Sequence, residues 1–212
     1  MPETKEVHQA IIDPSIQKML DILQSPILFD GEDTLFKEEL SRASVYAEIG
    51  VGQSTVFADR QKHIQQVIGV DTSHDWTRMV QVLSSQKTLL AHVDLGPIGN
   101  WGRPISYDYR SSIRKYATSI FQGSSAPDLV LIDGRFRVFC FLTTYVLSEP
   151  GTRIIFDDYV PRKHYHIVEE LVTPVANNKR QVVFERESDL EKNETRHREF
   201  IRLIDKFEYV MD

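Results

Sequence analysis

From Glu38 onward the chain alternates short apolar runs, each ending in or beside Gly or Asp, with longer polar stretches whose apolar positions recur at helical spacing. The runs are "VYAEI" (45–49), "QVIGVD" (66–71), "TLLAHVD" (88–94), "DLVLID" (128–133) and "RIIFDD" (153–158). The intervening "STVFADRQKH", "DWTRMVQVLSSQ" and "FRVFCFLTTYVLS" carry the spacing of helices that cover a sheet, and Thr72, Ser73 and Asp75 can each cap the second. Strands separated by helices predict an α/β fold built on a mainly parallel, doubly wound sheet with helices on both faces.

Two amphipathic stretches, "PSIQKMLDILQS" and "EDTLFKEELSRA", precede the first strand and predict short helices bounded by Pro14 and Pro26. After the fifth strand, "YHIVEELVTPVA" reads as a helix and "RQVVFER" (180–186) as a sixth strand. The charged tail reads as helical in its first half, and "FEYVM" can continue that helix or close the sheet as a last strand. The pattern predicts one domain over 1–212, with a helical preface (1–40), a core (41–175) and a C-terminal strand and helix (176–212). The stretch "DLGPIGNWGRPISYDYRSS" (94–112) is too long and too rich in Gly, Pro and aromatic residues for a plain connector, which marks it as a functional loop.

Composition narrows the function classes. At 41% hydrophobic and 26% charged the chain is ordinary for a globular domain. A net charge of −6 argues against a general nucleic-acid or anionic-membrane binder, since those need basic surfaces. The single cysteine, Cys140, lies in an apolar run, so a disulfide framework or cysteine metal site is excluded and a small buried hydrophobe is expected. No run is long enough to cross a bilayer, and the N-terminus lacks a signal-peptide pattern, which predicts a cytoplasmic protein.

The chemistry begins at "VYAEIGVGQST" (45–55). A strand ending in E-x-G-x-G ahead of a helix makes a tight turn that brings backbone N–H groups to a ligand. Thr55 stands where a dinucleotide fingerprint would carry its third glycine, which disfavours a nicotinamide oxidoreductase. Asp71 ends the second strand and is placed to accept both hydroxyls of a ribose, with a solvated strand-end acid as the alternative.

Together "EIGVGQST", "VIGVD", "DLVLIDG" and "IIFDDY" resemble the class I S-adenosylmethionine-dependent methyltransferases over about residues 40–172. "GPIGNWGRP" and "DGRFRV" are similar to segments of small methyltransferase-like proteins of uncharacterised function. The resemblance implies a Rossmann-like fold and S-adenosylmethionine as cofactor. It implies that Glu48, Gly50, Gly52 and Ser54 surround the amino-acid end of that cofactor, that Asp71 holds the ribose, that Asp94 lies near the adenine, and that Asp133 faces the methyl donor.

Asp133, Asp157 and Asp158 end neighbouring strands, so a parallel sheet gathers them at one edge. Three carboxylates so placed need a neutralising partner. The metal-dependent O-methyltransferases, which this pattern resembles, hold Mg²⁺ with such acids. Arg135, Arg137, Arg162 and Lys163 offer ion pairing instead, and Arg135 and Phe136 stand where those relatives continue with Asp and His. His164 and His166 are alternative proton acceptors, His164 the stronger candidate alongside Asp133. Arg103, Arg110, Arg114 and Lys115 make an anionic acceptor plausible if they rim the same crevice, and local ion pairing is the other reading. The expected activity is methyl transfer to a small molecule, at oxygen; the alternative is a cofactor-binding or regulatory protein without catalysis. The oligomeric state stays open, a homo-oligomer included.

Overall fold

The computed structural model describes residues 13–211. The first twelve residues of the expected preface, and Asp212, lie outside the described residues. Helix α1 (Pro14–Gln24) begins where the Asp13 carboxylate accepts from the Ser15 amide at 2.8 Å, with proline in the first turn, where no N–H is needed. Helix α2 (Thr34–Leu40) follows and buries Leu35, Phe36 and Leu40.

Strands β1 (Val45–Ile49), β2 (Gln66–Asp71), β3 (Thr88–His92), β4 (Leu129–Ile132) and β5 (Arg153–Phe156) then alternate with helices α3 (Gln53–Asp59), α4 (His74–Leu83), α5 (Ile113–Thr118) and α6 (Arg137–Leu147). The chain closes with β6 (Ala176–Asn177), β7 (Val182–Glu185) and α7 (Glu194–Phe207). The seven strands form one sheet in the order β3-β2-β1-β4-β5-β7-β6. The first five are parallel, and β7 runs antiparallel to both of its neighbours.

The central strands β1 and β4 are buried at every position because both of their faces are covered. Val45, Ala47 and Ile49 of β1, with Val130 and Ile132 of β4, join Tyr116, Phe139, Phe141 and Phe200 in one core. The alternate residues, Tyr46 of β1 and Leu129 and Leu131 of β4, join Phe36, Leu40 and Ala58 in the other. A strand period of two thus sorts one run between α5, α6 and α7 on one face and α2 and α3 on the other. Cys140 lies fully buried in the first core, as expected of a small hydrophobe.

The tail departs from the expected pattern. Lys163–Glu170 is a 3₁₀ helix that ends before "TPVA", where Pro174 lacks an N–H and disfavours a helical residue before it. Ala176–Asn177 instead pairs with β7 as a short edge strand. "FEYVM" forms no strand: α7 runs to Phe207, and the sheet edge beyond β7 is already taken by β6. The expected sixth strand is present but shorter, at Val182–Glu185.

Candidate functional site at the sheet switch point

Strand order reverses between β1 and β4, so the connections leaving their C-terminal ends diverge and open a crevice. The 50–52 turn lies on its floor. Gly50 has φ +95°, and a Cβ there would meet the Gly134 amide nitrogen at 2.5 Å. Its missing side chain therefore admits the β4 turn. Gly52 is different: a Cβ would meet nothing nearer than Trp76 Nε1 at 3.8 Å, so its face is open.

Glu48 is fully buried, accepting from Tyr46 Oη at 2.6 Å, Ser54 Oγ at 2.7 Å and the Thr55 hydroxyl. Thr55 Oγ1 in turn accepts from the Gly52 amide at 2.8 Å. Glu48 and Ser54 thus brace the turn from behind. Burial pushes the Glu48 carboxyl up to about 7, against the pull of the hydroxyl donors.

Asp71, ending β2, is half-buried and accepts from the Val51 amide at 3.1 Å and the Ser73 amide at 2.8 Å. These bonds aim its carboxylate at the crevice, while burial raises its pKa. Trp76 Nε1 donates to the Val51 carbonyl at 2.6 Å and pins the same turn. Asp94, just past β3, is exposed and accepts from the Gly96 amide at 2.8 Å.

The 94–112 loop roofs the crevice. Thr72 Oγ1 donates to the Gly102 carbonyl at 2.6 Å on the β2 side, and Arg135 Nε donates to the Trp101 carbonyl at 2.9 Å on the β4 side. Trp101 sits between these ties at φ 60°, in the left-handed region that side chains rarely adopt, and is 89% exposed.

The structure gathers Asp133, Asp157 and Asp158 as expected, with one oxygen of each within 4.8 Å of the others. Their oxygens, however, already hold guanidinium donors. The buried Arg137 reaches Asp133 Oδ1 at 3.0 Å and Asp158 Oδ2 at 3.2 Å. Arg180 grips Asp157 Oδ2 at 2.7 Å and Asp158 Oδ1 at 3.0 Å, and Arg162 takes Asp158 Oδ2 at 2.8 Å. Gln181 Nε2 adds a donor to Asp157 Oδ1 at 2.9 Å. Such a set does not fit Mg²⁺, a hard dication that needs oxygens free to face it. Burial, then the neighbouring Asp157, pushes the Asp133 carboxyl well up. Against its own burial, Asp157 is held below the usual carboxylate range by Arg180.

His164 is exposed on the 3₁₀ helix, its ring 4.4 Å from that of Tyr165, and is not brought into contact with Asp133. His166 stacks on Tyr159, and its Nε2 lies 3.2 Å from the Tyr159 carbonyl oxygen. The basic residues divide. Arg114 pairs with Asp205 and Glu208, and Arg137 and Arg162 hold the acid cluster. Among the described residues no ion pair joins Arg103, Arg110, Lys115, Arg135 or Lys163.

Sequence reasoning missed Arg180 and Gln181. The antiparallel register pairs Phe156 with Val182, and its continuation brings Asp157 opposite Gln181 and Asp158 opposite Arg180. A strand following an acid pair, with Arg-Gln at its start, was the available signal. Tyr46, which shares a strand face with Glu48, was legible from the period of two.

No family model and no curated protein matches the chain. Among solved structures it is similar to a methyltransferase-like protein from Silicibacter pomeroyi, at 30% identity and a TM-score of 0.68, over 77% of this chain and 88% of that one. It is also similar to the N-methyltransferase NodS from Bradyrhizobium japonicum in complex with S-adenosylhomocysteine, at 13% identity and a TM-score of 0.47, over 82% of this chain and 99% of that one. MycE, a methyltransferase of the mycinamycin biosynthetic pathway solved with Mg and S-adenosylhomocysteine, matches at 12% identity and a TM-score of 0.47, over 82% of this chain and 49% of that one.

Proposed function

The chain belongs to the class I S-adenosylmethionine-dependent methyltransferase superfamily, and from that premise we propose that it methylates a small molecule at oxygen. The observation that carries this reading is the convergence of half-buried Asp71, the open face of Gly52 and half-buried Asp133 on the crevice at the sheet switch point. Asp71 offers a braced carboxylate to a ribose, Gly52 leaves room for the amino-acid end, and exposed Asp94 offers an acceptor to the adenine. S-adenosylmethionine, when bound, supplies a methyl group already activated as a sulfonium.

The chain's own task is then to orient an acceptor oxygen and to take its proton. We assign the proton to Asp133, whose side chain is 27% exposed, and its raised pKa means that it serves as a base only as rising pH ionises the carboxyl. His164 is the second candidate, at the rim. The cations without ion pairs, Arg103, Arg110 and Arg135, favour an acceptor that carries a carboxylate or phosphate.

Calorimetry with S-adenosylhomocysteine tests the cofactor, and labelled methyl transfer to a panel of hydroxy acids tests the reaction. Asp71→Ala is expected to weaken cofactor binding by roughly 1 to 3 kcal/mol. Asp133→Asn is expected to lower kcat with cofactor affinity largely kept. Absence of binding at millimolar ligand would overturn the cofactor assignment; tight binding without turnover on any acceptor would favour a cofactor-sensing protein.

A further inference from the structure

We infer that Arg137, with Arg180 and Arg162, takes the place a divalent cation would hold among Asp133, Asp157 and Asp158, so that the site works without a metal. Arg137 enters from the first turn of α6, after Phe136 in the left-handed conformation (φ 54°), and is 3% exposed. Its Nε donates to the Gly134 carbonyl at 3.0 Å, Nη1 to the Asp157 carbonyl at 2.9 Å and Nη2 to the Asp133 carbonyl at 3.2 Å. The same guanidinium contacts Asp133 and Asp158 carboxylates, and its Nη1 lies 3.9 Å from Asp157 Oδ2. One buried cation therefore ties the ends of β4 and β5 through backbone and side chains together.

Charge balance points the same way. Asp133, Asp157 and Asp158 face three guanidinium groups, so a dication would enter a cluster with no net negative charge to attract it. The positive charges are also anchored elsewhere: Arg180 Nη1 donates to Asp30 at 2.7 Å and Arg162 Nη1 to Tyr165 Oη at 2.8 Å. Displacing them would break those bonds as well. Arg137 is thus a positioning residue that fixes the Asp133 carboxyl at the head of β4.

The inference concerns metal uptake, so it is read independently of methyl transfer. Wild-type protein is titrated with Mn²⁺ by electron paramagnetic resonance and with millimolar Mg²⁺ by thermal shift, beside Arg137→Met and the more peripheral Arg162→Ala. The wild type is expected to bind no Mn²⁺ stoichiometrically and to keep its Tm. At least one variant, freed of a positive charge, is expected to gain a Mn²⁺ site and a Mg²⁺-dependent rise of about 3 °C or more. A stoichiometric wild-type site that Asp158→Asn removes would overturn the inference. So would folded variants of both kinds that take up no cation, because arginine would then not be what excludes it.

Discussion

At the scale of single residues, the two glycines of the opening turn do different work. Gly50 faces the backbone of Gly134, and a Gly134 Cβ would run into Tyr116 Oη and the Ile49 backbone, so the two turns meet where neither glycine can carry a side chain. Gly50→Ala is expected to destabilise the fold by about 3 kcal/mol or more, combining a left-handed φ with an unavoidable clash. Gly52→Ala is expected to leave the melting temperature near wild type, since a Cβ there meets nothing nearer than Trp76 at 3.8 Å, and to weaken S-adenosylhomocysteine binding by taking space beside the turn assigned to the cofactor. Denaturant unfolding and calorimetry on the two variants separate these roles; equal loss of stability in both would refute the distinction.

At the scale of elements, the 94–112 loop is a roof with two named ties. It folds on itself through the Gly99 amide to the Arg103 carbonyl at 2.7 Å and the Ile105 amide to the Pro97 carbonyl at 3.0 Å. It is fastened to the sheet by Thr72 and Arg135. Loops of low contact density open more readily than the core beneath them. Arg135→Ala is therefore expected to speed amide exchange at Gly99, Arg103 and Ile105 by roughly 10-fold, the worth of one charged hydrogen bond. Protection of the β1 and β4 amides should stay as it is. Unchanged exchange in the loop would show that the Arg135 tie does not hold it shut.

At the scale of the whole molecule, buried acids set the pH response. Glu48, raised from 4.5 to about 7, binds its proton more tightly folded than unfolded, so it lowers stability as pH rises from about 4.5 to 7. The shift corresponds to an upper limit of about 3 kcal/mol, and raised Asp71 and Asp133 act in the same direction. Asp157 acts oppositely: its lowered pKa stabilises the fold above the unfolded value of 3.8, and that contribution is lost as pH falls through the folded value. Melting temperature is expected to peak near pH 5, and Glu48→Gln to flatten the decline between pH 5 and 7. A calorimetric profile that rises steadily to pH 7 would contradict the assignment.

Much of this architecture was legible in the chain itself. Apolar runs at 45–49, 66–71 and 128–133 specify buried parallel strands because only strands covered on both faces need be apolar at successive positions. Their terminal acids then reach one edge by the geometry of a parallel sheet. The tertiary structure alone decided what those acids meet. Arg180 lies far along the chain from Asp157, and only the antiparallel register of β5 and β7 brings them together. Likewise, whether Glu48 faced a ligand or three hydroxyls depended on how α3 packs behind β1. Local pattern fixes which residues are apolar, where strands end and which types stand there. Partners distant in sequence are set by packing and register, and those determine whether a carboxylate is braced, neutralised or left open to a ligand.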